Sequence, residues 1–133
     1  MVAFSKEELH QIREFFEACN RQEAQSKWQG LAPEELQLEL IGQLEQGQDE
    51  DDQWRRLAYW ALSKRFDKAL TVPYQKWLAQ ALAGSDDQAV YQLMIGLDNL
   101  DEPIFDPART GFASFEVELN RRDASRYLNQ TSS

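Results

Sequence analysis

The sequence predicts an all-α protein, a compact bundle or short helical array of five or six helices with one proline-containing irregular segment. Two observations predict this class. Apolar residues recur at spacings of three and four along most of the chain, the period of a helix with one buried face. Helix start and stop residues punctuate that pattern, and short loops suffice to join the pieces. A length of 133 residues reads as a single domain over 1–133, with a polar tail from about residue 129. The 42 % apolar content is enough to build a core, and a domain of this size buries about two-thirds of the surface its unfolded chain exposes.

Ser5 followed by Glu8 forms a capping-box pattern, which satisfies two orphan donors at a helix start. Leu9, Ile12, Phe16 and Cys19 then share one face, and this helix is expected to run to about Ser26, with Gly30 as its stop. Pro33 suits the first turn of a second helix, and Glu34 and Glu35 suit its positive N-terminal end. Leu36, Leu40, Ile41 and Leu44 carry its apolar face, and Gly47 ends it. Asp49 to Asp52 precede a third helix with Trp54, Leu57, Ala58, Ala61, Leu62 and Phe66 on one side and Arg55, Arg56, Lys64, Arg65 and Lys68 on the other. Pro73 starts a fourth helix bearing Tyr74, Trp77, Leu78, Ala81 and Leu82, closed by Gly84. Ser85 caps a fifth, with Val90, Leu93, Met94 and Leu97 at helical spacing.

From Asn99 to Gly111 the helical signal fails. Pro103 and Pro107 each remove a backbone donor and restrict the residue before them. Ile104 and Phe105 between them are too apolar for a free loop and are expected to plug into the core or a partner. Phe112, Ser114, Phe115, Val117 and Leu119 fit either a short strand or the start of a helix. Asn120 with Asp123 three residues later marks a final helix ending near Leu128.

The charge is segregated. No Lys or Arg occurs between Trp28 and Trp54, a window holding Glu34, Glu35, Glu39, Glu45, Asp49, Glu50, Asp51 and Asp52. None occurs between Trp77 and Ala108, where Asp86, Asp87, Asp98, Asp101, Glu102 and Asp106 sit. The windows carry −8 and −6, the remainder +5, and the chain −9. Acidic runs are commonly solvated faces, and about half of these residues fall at N-terminal helix positions. Two long stretches of one sign nevertheless project a field that attracts a basic macromolecule and speeds its association. Phosphates repel such a chain, so nucleic acid and anionic membrane surfaces are excluded as partners.

Nothing in the N-terminal residues forms the apolar region of a signal peptide, and no window approaches the roughly 18 apolar residues of a membrane span. A cytoplasmic protein is expected. The lone Cys19 rules out an internal disulfide and a thiolate metal site of its own.

Catalytic constellations are thin. Any Ser-His-Asp or Cys-His set must use His10, which has Glu14 four residues on and reads as a surface residue pairing along its helix. Cys19 lies on an apolar stripe and reads as a small buried hydrophobe. The Asp49-Glu50-Asp51-Asp52 run lacks the glycine and glutamate a calcium loop needs: counted from Asp49 those positions are Trp54 and Trp60, and counted from Asp51 they are Arg56 and Leu62. Carboxylate pairs for acid–base chemistry carry no specificity among 23 acidic residues. The six glycines are scattered, with no phosphate-binding loop. No metal, cofactor or catalytic residue is therefore assigned. Of the four tryptophans, Trp54 and Trp77 fall on apolar faces and read as core, while Trp28 and Trp60 stand at edges and read as interface candidates.

The C-terminal third carries a resemblance. Leu100-Asp101-Glu102-Pro103-Ile104-Phe105, then Ser114 to Leu119, then Asn120-Arg121-Arg122-Asp123-Ala124-Ser125-Arg126-Tyr127-Leu128 resembles the closing segment of small immunity proteins from bacterial contact-dependent growth inhibition and related polymorphic-toxin systems. The stretch covers about 30 residues, and the N-terminal 95 bring no recognised motif. The resemblance implies a non-catalytic protein that binds a cognate toxin domain and blocks it by stoichiometric occlusion. Many such toxins are nucleases, basic because they hold phosphates, which agrees with the charge segregation. The expected contact set is Asp49, Glu50, Asp51, Asp52, Asp86, Asp87, Asp98, Asp101, Glu102 and Asp106, with Ile104 and Phe105 as apolar anchors. The alternatives are an acidic helical adaptor or structural protein that binds another cellular protein, and an enzyme built on a carboxylate pair.

Overall fold

The computed structural model describes residues 3–21, 28–46 and 51–131. The fold is all-α. Among the described residues there are six helices and no strand: α1 (Lys6–Asn20), α2 (Pro33–Glu45), α3 (Asp52–Leu62), α4 (Thr71–Ala83), α5 (Asp87–Asn99) and α6 (Val117–Thr131), with a 3-10 turn at Lys68–Leu70 before α4. None of these helices is long and apolar enough to cross a membrane. The sequence reads as one domain, and the contacts divide the chain into two compact units, Met1–Arg65 and Phe66–Ser133.

In the N-terminal unit, α1 opens on the capping box: Ser5 accepts from the Glu8 backbone N–H at 3.0 Å, and Glu8 accepts from that of Ser5 at 2.8 Å. Leu9, Ile12 and Phe16 are buried as their spacing requires. The helix closes at Asn20, short of the expected Ser26; residues 22–27 lie outside the described part. Gly30 has a different task from stopping a helix. Trp28 and Leu31 exchange two backbone hydrogen bonds (3.0 and 2.8 Å) across a turn in which Gln29 (φ 45°) and Gly30 (φ 83°) are both left-handed, a conformation glycine adopts at little cost.

Pro33 does occupy the start of α2. The helix buries Leu36, Gln37, Leu40 and Gln43, while Ile41 and Leu44 are only half-buried. Gly47, its expected terminator, is outside the described residues. The side chain of Asp51 caps α3, which buries Trp54, Ala58, Tyr59, Ala61 and Leu62 and packs chiefly on α1. Phe66 corrects the expected stripe. The helix ends at Leu62, so Phe66 leaves its register and is 58 % exposed.

In the C-terminal unit, Asp67 caps the 3-10 turn, and α4 begins at Thr71, which puts Pro73 at its third residue rather than its first. Gly84 closes α4 as expected. Asp86, not Ser85, caps α5, accepting from the Ala89 N–H at 3.1 Å. Val90, Leu93, Met94 and Leu97 are all buried. Gly96 is where α5 meets α4: a Cβ added there would lie 2.9 Å from Cε2 of Tyr74, itself 1 % exposed. Gly96→Ala gains about 1 kcal/mol of helix propensity, but overpacking costs about 1–3 kcal/mol. Thermal unfolding is therefore expected to show a net loss near 1 kcal/mol, and a raised midpoint would contradict this packing.

Leu100, Ile104 and Phe105 are buried. Of the two destinations expected for Ile104 and Phe105, they take the core. Residues 112–116 form neither strand nor helix, and α6 starts at Val117. Asn120 is therefore inside the helix and not its cap; its backbone N–H already reaches the Glu116 carbonyl at 3.0 Å. The helix continues to Thr131, so residues 129–131 are helical where a polar tail was expected.

Candidate functional site

The acidic residues singled out by the sequence divide by what their carboxylates already touch. Asp49 and Glu50 lie outside the described residues. Asp51 accepts from the Gln53 and Trp54 N–H groups and meets Lys6 Nζ at 2.7 Å, which together hold its carboxyl below the ordinary range, the Lys6 hydrogen bond most of all. Asp52 is exposed and pairs with Arg55 within α3 at 3.0 Å. These belong to the N-terminal unit.

In the C-terminal unit, Asp86 is a cap and Asp87 meets Arg121 Nε at 2.6 Å. The same guanidinium donates to the Leu82 and Gly84 carbonyls at 3.1 and 3.2 Å, so this pair fastens α6 to the α4–α5 corner. Glu102 accepts from the Tyr127 hydroxyl, which in turn accepts from Gln75 Nε2 at 2.8 Å. Burial is the main cause that pushes the Tyr127 hydroxyl up to about 12. Asp106 accepts from the Ala108 N–H at 2.9 Å and faces Arg126 at 3.6 Å and Arg122 at 3.7 Å; the Ala108 hydrogen bond first, and then the two arginines, hold its carboxyl low.

Asp98 and Asp101 differ from all of these. Both are exposed, and neither has a cationic partner among the described residues. They sit at the C-terminal end of α5, where carbonyl ends already disfavour negative charge. Asp101 has φ 64°, and its N–H bonds the Asp98 carbonyl at 3.0 Å. Partial burial and then the charge of Asp101 push the Asp98 carboxyl above its ordinary value. The ammonium of Lys68 reaches this end of α5 but is engaged with the Leu100 carbonyl at 2.8 Å.

The buried counterpart of this surface was not visible in the sequence. Arg109, its side chain 6 % exposed, donates to Asp123 at 2.9 Å, Asn120 at 3.0 Å and Glu116 at 3.0 Å. Asp123 is fully buried; its Oδ2 also accepts from the Asp106 N–H at 3.2 Å, and its Oδ1 faces Arg126 at 3.3 Å. Asn120 donates to the Ala113 carbonyl at 3.0 Å. The proline-containing segment is thereby pinned to α6. Comparison with protein-family models, curated proteins and solved structures found no match.

The reactive residue types are placed as follows. His10 packs edge-on against Trp60 (5.7 Å between centroids), while Glu14, its expected partner, approaches Arg13 at 3.7 Å. Cys19 is half-buried, and burial raises its thiol pKa, which disfavours the nucleophilic thiolate. Among the described residues no group of three or more His, Cys, Asp or Glu is arranged to hold a metal. Trp54 and Trp77 are core residues. Trp28 and Trp60 are half-buried, Trp28 against the edge of Phe4 and Trp60 under the Arg13 guanidinium at 4.3 Å. Among the described residues the large exposed apolar side chains are Leu38, Phe66, Val72, Phe112 and Phe115.

Proposed function

We propose that this chain is a cytoplasmic, non-catalytic binding protein of the immunity type, which neutralises a basic toxin domain by stoichiometric occlusion through acidic surface. The observation that carries the reading is the absence of Lys and Arg from two long acidic windows. The Asp98–Asp101 pair supports it. Two carboxylates left close together without a cation cost the free protein stability, and a Lys or Arg supplied by a partner relieves that repulsion. The folded form holds the Asp98 proton to higher pH than the unfolded chain does. Stability therefore falls as pH rises from the ordinary aspartate value through the raised one.

Asp101→Asn is expected to lower the Asp98 pKa, read by NMR titration, and to stabilise the free protein slightly while weakening its complex. The partner is sought by co-expression with the product of the upstream gene, followed by calorimetry of the complex at two salt concentrations. Tight 1:1 binding that weakens with salt is the expected result. A complex indifferent to salt removes the acidic surface from the interface, and no basic toxin partner at all leaves an adaptor role.

A further inference from the structure

Phe115 is 83 % exposed, the most exposed large apolar side chain among the described residues. It stands on the turn before α6, beside a shallow cleft of about 310 Å³ lined by residues 115–119. An isolated exposed Phe is ordinary; this one is held by a built frame. Its neighbour Glu116 bonds Arg109 through its side chain and the Ala113 carbonyl through its N–H at 3.1 Å. Asn120 fixes the same carbonyl, and Tyr91 donates to the Phe112 carbonyl at 3.3 Å. Phe112, 42 % exposed, stacks on buried Phe105 at 3.9 Å, with the Arg109 guanidinium above both rings. A turn fastened this way holds its aromatic tip in place, and little ordering entropy remains to be lost on binding.

We infer that Phe115 is the apolar anchor of a protein-docking surface, and that its partner offers apolar side chains rimmed by Lys or Arg. The charge around the ring names that chemistry. Glu118, exposed and without an ion pair among the described residues, shares the cleft with Glu116, which Arg109 already holds. Among the described residues the guanidinium bound at this turn is that of Arg109, whose side chain is buried. A basic rim is attracted and an acidic rim repelled. The inference rests on the reading above only for the partner's sign, and it places the apolar contact at Phe115 rather than at buried Ile104 and Phe105.

The test titrates the full chain by NMR with three soluble peptides alternating Lys with Leu, Glu with Leu, or Lys with Ser. The Lys/Leu peptide is expected to shift Phe115, Glu118 and their neighbours and to bind best. Phe115→Ala should weaken it at least about tenfold with no change in melting temperature, and Phe115→Trp should restore it. If Phe115→Ala perturbs the fold, Glu118→Lys carries the test and should shift preference toward the Glu/Leu peptide. No binding, shifts confined to other surfaces, or equal affinity for the Glu/Leu peptide overturns the inference. So does a dimer of the free chain that Phe115→Ala dissociates, since a second copy would then be the occupant. Failure to capture a toxin domain alongside a positive peptide result counts against the immunity reading alone.

Discussion

Replacing Asp123 with alanine is expected to destabilise the C-terminal unit by about 3–5 kcal/mol, because it leaves the Arg109 guanidinium buried with much of its compensation gone. The Arg109 side chain is 6 % exposed and Asp123 fully buried, so water cannot step in for the missing carboxylate. Glu116, at 3.0 Å, remains as one partial partner. The Asp106 N–H loses its acceptor too, and Arg122 and Arg126 lose the carboxylate they face at 3.7 and 3.3 Å. Denaturant midpoints of the wild type and Asp123→Ala measure the effect. The comparison that separates charge from shape is Arg109→Met with Asp123→Leu, which removes both ions together and should recover much of the loss. A single-variant loss below about 1 kcal/mol would mean that the pair is solvated in solution, and the frame beneath Phe115 would not be rigid.

Helix existence was legible because its signals are local. Ser5 and Glu8 are three residues apart, Pro33 sits at the start of its helix, and Val90, Leu93, Met94 and Leu97 are buried as their period requires. Local signals also misled. Asn120 and Asp123 imitate a cap, yet the helix has already begun at Val117, and both side chains turn inward to Arg109. The apolar period ran on to Phe66 although the helix stops at Leu62. The site was less legible than the fold, because a carboxylate's role depends on which cation reaches it. Asp87 meets Arg121, thirty-four positions away, and Arg109 meets Asp123, fourteen away; neither pairing has a sequence period. Among the described carboxylates of the expected contact set, Asp51, Asp52, Asp87 and Asp106 face a cation of this chain, whereas Asp98 and Asp101 are exposed without one. Hydrophobicity alone likewise could not decide whether Ile104, Phe105 or Phe115 faces outward.

Trp54→Ala should be the comparable lesion in the N-terminal unit, costing about 3–5 kcal/mol. The indole is 4 % exposed on α3 and does two things. It fills core volume, and its N–H donates to the Phe4 carbonyl at 2.6 Å. The Phe4 N–H in turn bonds buried Gln43 at 2.8 Å, so one side chain links α3 to the segment before α1 and, through it, to α2. Trp54→Phe separates the two contributions. It keeps most of the apolar contact but leaves the Phe4 carbonyl unsatisfied, for an expected loss of about 1–3 kcal/mol. Equal losses for the two variants would assign the whole effect to the hydrogen bond, and a near-neutral Phe variant would assign it to packing. The comparison bears on the acidic surface as well. Asp51 caps α3 and Asp52 opens it, but the Lys6–Asp51 pair is solvent-exposed and screened. The placement of both carboxylates depends more on the buried Trp54 indole than on any contact that the carboxylates make themselves.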